Sequence, residues 1–442
     1  MSMDKKQHLF VIGAEPFNME RLTHLPASRY TEFHSALDLS EIRGIDEFDM
    51  AHIIEKTFRN IEEAAVPVDG VVAYYDFPAS TMVPIVAQRF GLRGPTIRSV
   101  MKCEHKFWSR IEQRKVAVEQ IPQFHAFDPF EENPLNRLHF VYPFWVKPIK
   151  SFRSFLAFRI NDERDFSYAV EQMREGLERM NRPFQYLMER YRMPELFTGM
   201  RESALAESVI SGSQCTLEGY VFEGEVIGYG VVDSVREGDR SSFARYEYPS
   251  KLPLDVQYRM IEIARRVVSQ IDLDDSPFNM EFFYNQTEDH IYLLEINPRI
   301  SQAHVDMFEK VHGYSHQQVM VDIALGRRPS PMERGGRYQV SANFMLRSFV
   351  DGVVTRVPDQ AELETVRELY PDTDFKIRVN EGDRLSDLEG QDSYSYELAN
   401  IFLGADSRLE LLERYDRVLE ILSFEVDERA LEGHLGTSTG VP

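Results

Sequence analysis

Two glutamates and two asparagines fall at matching positions in the stretch Phe278 to Asn297, and an arginine follows at once. The stretch reads Phe-Asn-Met-Glu-Phe-Phe-Tyr, then Asn-Gln-Thr-Glu-Asp-His, then Ile-Tyr-Leu-Leu-Glu-Ile-Asn. Two runs rich in aromatic and β-branched residues flank a short polar break, which is a hairpin pattern. With the turn near Glu288, Glu281 faces Glu295 across the ladder and Asn279 faces Asn297. Side chains alternate with period two, so these four share one face. Met280, Phe282, Leu294 and Ile296 take the other face and suit a core. Carboxylates directly opposite one another sit about 5 Å apart and repel. A cation between them removes the conflict, and hard divalent cations prefer such oxygen ligands. Pro298 and Arg299 place a fixed positive charge just beyond the pair. The chemistry this pattern suits is a magnesium–phosphate site.

The elements that position this stretch are legible around it. Val256, Met260, Ile263, Val267 and Ile271 recur every three or four residues, an amphipathic helix leading into the hairpin. Leu205–Ile210, Thr216–Phe222 and Glu225–Val232 read as three successive antiparallel strands, with turns at Gly212 and Glu223-Gly224. Further upstream, Leu9–Gly13 and Val71–Tyr75 read as buried strands, and a helical pattern around Ile85 to Ala87 closes at Gly91. Strands alternating with helices predict a small open α/β domain over residues 1–98. Ser99 can cap a helix bearing Val100, Cys103, Phe107 and Ile111 on one face, with Lys106 on it and Lys102 and Lys115 flanking. His139–Lys147 reads as a strand stopped by Pro148, and Asp165–Arg192 as largely helical. Met193–Ala204 mixes proline, glycine and charges, and reads as a mobile loop. From about Arg337, strands and helices alternate again in a compact α+β region, and the small, polar tail 435–442 reads as disordered.

Composition excludes several classes of function. The 442 residues allow about three domains. A formal charge of −22 argues against nucleic acid or an anionic membrane as partner. There is no run of about 18 apolar residues that would cross a membrane, and the apolar run Leu9–Ala14 is too short for a signal peptide. Two cysteines, Cys103 and Cys215, have no metal-type spacing and suit a reducing, cytoplasmic compartment. Neither a G-x-G-x-x-G nor a G-x-x-x-x-G-K-[ST] motif is present.

The segment from Asn279 through Glu281, Glu295-Ile-Asn-Pro-Arg299 and on to Gly326-Arg-Arg-Pro329 resembles the ATP-grasp superfamily, ADP-forming carboxylate–amine ligases and their relatives, among them the L-amino acid ligases. The resemblance implies an α/β (α+β) ATP-grasp fold: an N-terminal pre-ATP-grasp domain (1–98), a nucleotide-binding domain (99–330) with a lid at about 107–210, and a closing α+β subdomain (331–434). It implies ATP and one or two Mg²⁺ or Mn²⁺ ions. By the same resemblance Glu281, Glu295 and Asn297 match the metal ligands, and Arg299 matches the arginine on transferred phosphate or substrate carboxylate. Lys106 and Lys147 match the two nucleotide lysines, and Glu207, with Ser208 to Ile210, matches the hinge that reads adenine. Gln214 falls where many members have a polar residue after the hinge glycine. Arg245 falls where several have a phosphate-contacting base, and Ser301 and His304 are candidates to face the acceptor. One segment departs from the family: the loop after Lys147 reads Ile-Lys-Ser-Phe-Arg-Ser, without glycine, so Ser151, Arg153 and Ser154 would donate from side chains instead.

The implied reaction turns a carboxylate into an acyl phosphate and passes it to an amine, with small-molecule substrates; a homodimer is common in related families. The alternatives are a carboxylase or another acyl-phosphate enzyme with a non-amine acceptor, and a nucleotide-binding protein without ligation. A carrier-linked carboxylase would use a biotin attachment motif, and Met-Lys-Met is absent from the chain.

Overall fold

The computed structural model describes residues 6–42, 49–151, 155–199, 203–238, 242–388, 391 and 395–428. It divides into two compact units, residues 1–231, 250–302 and 315–332, and residues 232–249, 303–314 and 333–442.

The first unit begins with a parallel sheet in the order β2-β1-β3, with β1 (Gln7–Ala14), β2 (Thr31–Asp38) and β3 (Gly70–Ala73). Crossovers through α1 (Pro16–His24) and α2 (Met50–Glu63) make the strands parallel, and α3 (Ala79–Phe90) follows β3. Phe10, Ile12, Val71, Met82 and Val86 form the core there. The alternation Thr-Glu-Phe-His-Ser-Ala-Leu-Asp marks β2 as a half-buried edge strand, one that the search for continuous apolar runs passes over.

One helix expected from Ser99 onward is two. Thr96 caps α4 (Ile97–Glu104), and the chain breaks at His105, whose ring accepts the Trp108 amide and starts α5 (Lys106–Val116). The break sets Lys106 at a helix start, where its backbone N–H reaches the Ile149 carbonyl at 3.1 Å.

An antiparallel sheet in the order β4-β7-β5-β6 follows, with β4 (Phe124–Phe127), β5 (Phe144–Pro148), β6 (Phe158–Ile160) and β7 (Ala204–Ser208). It packs Val146, Ile160 and Ala206 against Phe166, Ala169 and Met173 of α6 (Glu163–Arg190). The loop expected at Met193–Ala204 holds a short helix, α7 (Glu195–Thr198). The strands expected to run in succession from Leu205 do not: β7 pairs with β4 and β5, and the next strand joins another sheet. Gly212 makes that switch, with φ at +129° and its α-carbon so close to the Tyr284 carbonyl that an added Cβ would lie 2.3 Å from it.

The last sheet of this unit has β8 (Ser213–Phe222) between β11 (Ser276–Asn285) and β9 (Glu225–Arg236), with β12 (His290–Asn297) outside β11. Leu217, Phe278, Met280 and Phe282 meet Met260, Ile263 and Val267 of α8 (Leu254–Ile271). The helix α10 (His316–Ala324) is buried along its length.

In the second unit, Phe243–Tyr248 (β10) lies between Val232–Arg236 of β9 and β13 (Val340–Ser348). β16 (Tyr396–Ala405) and β15 (Asp374–Ile377) complete the antiparallel order β10-β13-β16-β15. Phe344, Ile401 and Leu403 pack on Val366 of α11 (Gln360–Leu369) and on Leu411 and Val418 of α12 (Arg408–Ile421). The helix α9 (Val305–His312) and a small pair, β14 (Val353–Arg356) with β17 (Glu425–Asp427), complete it. Among the described residues no helix is long and apolar enough to cross a membrane.

Candidate active site

The β11–β12 hairpin has the register its sequence predicts: Glu281 opposite Glu295, and Asn279 opposite Asn297. One detail differs. The ladder shifts between Glu281 and Phe282, so Phe282 pairs with Leu293 and the extra residue is Leu294. This bulge turns Leu293 into the core and leaves Leu294 half-buried, the reverse of strict alternation. Arg110 of α5 binds the two carbonyls at the bulge, Leu293 O at 3.2 Å and Leu294 O at 2.7 Å.

The polar face is cross-linked. The Gln214 amide, from β8, donates to Glu281 at 3.0 Å, and the Asn297 amide donates to Asn279 Oδ1 at 3.0 Å. With its NH₂ spent on Asn279, the group Asn297 has left to offer is its oxygen. Burial, and then repulsion from Glu295, push the Glu281 carboxyl up to about 7, despite Arg299, Lys106 and the Gln214 bond. A carboxyl in that condition at neutral pH fits a cation site. Two facing carboxylates and an amide oxygen are the hard-oxygen donor set that Mg²⁺ or Mn²⁺ takes.

Around this face the cations are each matched to a carboxylate. Lys106 Nζ lies 2.5 Å from Glu295. Burial works against its charge, but Glu295 holds its pKa above the ordinary lysine value. Lys147 Nζ and Arg110 Nε both lie 2.5 Å from the Glu207 carboxylate, on its two oxygens. Burial alone would raise Glu207, yet Arg110 and Lys147 pull it down to about 2. Burial holds Lys147 below its ordinary value; Glu207 opposes this, while Lys106 and Arg110 add to it. Lys106, Arg110, Lys147, Glu207, Leu294 and Glu295 line one pocket with Cys103. A third lysine, Lys150, is buried against Glu104, which also accepts the Ser80 hydroxyl at 2.5 Å. Arg299 binds Asp76, its Nε at 2.7 Å and one terminal nitrogen at 2.5 Å from the same oxygen. Such a cluster has the parts to hold a metal-bound polyphosphate: oxygen ligands on one side and exchangeable cations on the other.

Residues 140–306 match the family described as ATP-grasp domain. The chain has the ATP-grasp fold. Solved structures share the fold over nearly the whole chain. The L-amino acid ligase from Bacillus licheniformis has 17% identity and a TM-score of 0.70, over 96% of this chain and 99% of that one. The carboxyaminoimidazole ribonucleotide synthase from Aspergillus clavatus, solved with ATP, has 16% identity and a TM-score of 0.63, over 94% and 98%. The biotin carboxylase from Campylobacter jejuni has 13% identity and a TM-score of 0.64, over 95% and 92%. At these identities the likeness is one of fold. No curated protein gives a significant sequence match.

The lysines that flank Lys106 in sequence have structural partners. Lys102 donates to the Ile271 carbonyl at the end of α8, at 2.8 Å, and Lys115 pairs with Glu112 at 2.7 Å. Lys106 is the one of the three that lines the pocket. The Glu207 side chain serves Arg110 and Lys147, and the Ser208 backbone N–H donates to Gln123 O at 3.0 Å. Ile210 is half-buried and Ser151 buried; Arg153 and Ser154 lie outside the described residues, as does the tail 435–442. Gln214 serves Glu281. The Ser301 backbone supports the buried Glu218 carboxyl, which burial raises to about 7 against the pull of His316 and Arg299. Arg245 and His304 belong to the second unit. There Arg245 pairs with Glu247 at 3.0 Å, Glu247 also binds Arg408, and the His304 ring meets Tyr246 edge-on at 4.7 Å.

Sequence reading passed over Arg110, Lys150, Glu104, Asp76 and Glu218. Two left a signal. Arg110 stands four residues after Lys106, hence on the same helix face. Asp76 follows the carboxyl end of a parallel strand, where ligands bind in open α/β sheets.

Proposed function

We propose that the chain is an ADP-forming ligase that activates a carboxylic acid, an amino acid or similar small metabolite, as an acyl phosphate and joins it to an amine. The observation that carries this reading is the pocket that collects Lys106, Lys147 and Glu295 beside the Glu281–Glu295 rung. In this reading Glu281, Glu295 and Asn297 hold Mg²⁺, which when bound neutralises phosphate charge and screens the two carboxylates from each other. Lys106 and Lys147 exchange their carboxylate partners for phosphate oxygens, which lets the pocket stay charge-balanced with or without nucleotide. Phosphoryl transfer needs little beyond such positioning and neutralisation.

The substrate carboxylate oxygen bonds to the γ-phosphorus as the bond to ADP breaks. The amine nitrogen then bonds to the acyl carbon and inorganic phosphate leaves. Arg299 steadies the phosphoryl oxygens and the oxyanion at the acyl carbon, a role suited to its planar fork. Asp76 fixes that fork, because it binds Nε and a terminal nitrogen together. The two buried free thiols suit a cytoplasmic setting.

The test is phosphate release from ATP and Mg²⁺ with amino acids and amines, singly and in pairs. Release that requires an acid and an amine together supports ligation. Release driven by bicarbonate overturns it in favour of a carboxylase, and nucleotide binding without turnover on any pair overturns it in favour of a binding protein.

A further inference from the structure

The parallel sheet of the first unit brings two histidines and a glutamate together on one face. His8 of β1 is the ladder partner of Glu32, and His34 of β2 is the partner of Phe10. Residues two apart on a strand point the same way, so Glu32 and His34 stand side by side next to His8. His8 Nδ1 and His34 Nε2 are 2.9 Å apart, and His8 Nδ1 is 4.0 Å from Glu32 Oε2. All three ligand atoms lie within 4.8 Å of one another, and among the described residues no other trio of histidine, cysteine or carboxylate groups converges in this way.

The surroundings fix the rings. His34 stacks on the buried Phe10 ring, with centroids 5.0 Å apart. The His8 backbone N–H is held by Asp69 Oδ2 at 2.7 Å. Ligand atoms around a tetrahedral zinc ion stand roughly 3.3 Å apart, given bonds of about 2.0–2.1 Å. The His8–His34 and His8–Glu32 separations, 2.9 and 4.0 Å, lie on either side of that value, so side-chain adjustments of the order of 1 Å bring these pairs to it.

We infer that His8, Glu32 and His34 form a binding site for a divalent transition-metal ion of the zinc class, with a fourth position open to water. The donor set separates it from the hairpin. Two imidazoles and one carboxylate suit zinc and its transition-metal neighbours iron(II), nickel and copper, whereas the all-oxygen Glu281–Glu295–Asn297 face suits magnesium or manganese. An ion there would tie the edge strand β2 to the central strand β1, as a staple independent of nucleotide chemistry.

The probe is Zn²⁺ added to the full chain in excess Mg²⁺, with bound metal measured by equilibrium dialysis. One saturable equivalent is expected. It should persist in Glu295→Gln and be lost or weakened in Glu32→Ala and His34→Gln. Losing a ligand should cost at least the roughly 10–100-fold that losing an outer hydrogen-bond partner costs. The Glu32 side chain is 56% exposed, so Glu32→Ala tests the site without disturbing the core. Absence of saturable Zn²⁺ binding, or binding of equal strength in both variants, would overturn the assignment and leave the rings as a hydrogen-bonded histidine pair.

Discussion

Glu207→Gln isolates the charge that holds the pocket wall together. Glu207 is 4% exposed, and its carboxylate sits between Arg110 and Lys147 at 2.5 Å from each. Glutamine keeps the shape and removes the charge. The carboxyl falls from an ordinary 4.5 to about 2 in the folded protein. At 1.36 kcal/mol for each pH unit, that difference is worth about 3 kcal/mol. The value agrees with the roughly 3–5 kcal/mol lost when one partner of a buried ion pair is removed. The pH dependence follows from the sign of the shift. A depressed carboxyl contributes its stability above pH 4.5 and loses it as pH falls toward 2. Linkage gives about 3 kcal/mol at pH 7 and about 1 kcal/mol at pH 3. Urea unfolding of both proteins at pH 7, 5 and 3 measures this directly. A cost under about 1 kcal/mol at pH 7, or an equal cost at pH 7 and pH 3, would refute the reasoning, because the first denies the pairing and the second makes the loss one of packing.

The other expectations follow from the same pocket and its sheet. Glu295→Gln should cut ADP formation at least about 100-fold with an unchanged circular dichroism spectrum; wild-type turnover would remove Glu295 from the metal face. Lys147→Met should weaken ATP binding about 10- to 100-fold in a nucleotide titration, the range for a charge-assisted hydrogen bond, and unchanged binding would separate Lys147 from the phosphates. Gly219→Ala should lower the melting temperature, because the new Cβ would meet the Phe278 ring at 2.4 Å and the Ile227 carbonyl at 2.7 Å; the cost is about 1–3 kcal/mol, and a neutral result would mean the sheet yields there.

Period-two alternation and a turn at Glu288 were enough to align Glu281 with Glu295 and Asn279 with Asn297. The same rule misplaced Leu294, because a bulge is a one-residue event that leaves no trace in composition. Its cause is nonlocal. The carbonyls it exposes are bound by Arg110, more than 180 positions earlier in the chain. The strand order failed at β7 for a similar reason. Residues 204–208 have strand character, but their partners at Phe124–Phe127 and Phe144–Pro148 are set by tertiary packing, not by the next strand along the chain.

Residues whose chemistry is a property of their own strand, such as the paired glutamates, announce themselves by spacing. Residues whose chemistry lies in neutralising another group do not. Glu207 illustrates the difference. As a segment it matched a hinge; as a side chain it is the shared counter-ion of a helix cation and a strand cation. Lys150 and Glu104 are a second case, a buried pair 46 positions apart in sequence. A buried cation is costly unless paired, so each positive charge gathered in this pocket demands an acid close by. A chain that collects lysines and arginines around one rung must therefore also collect carboxylates there, and it is those compensating acids, Glu104, Glu207 and Asp76, that motif spacing cannot reveal.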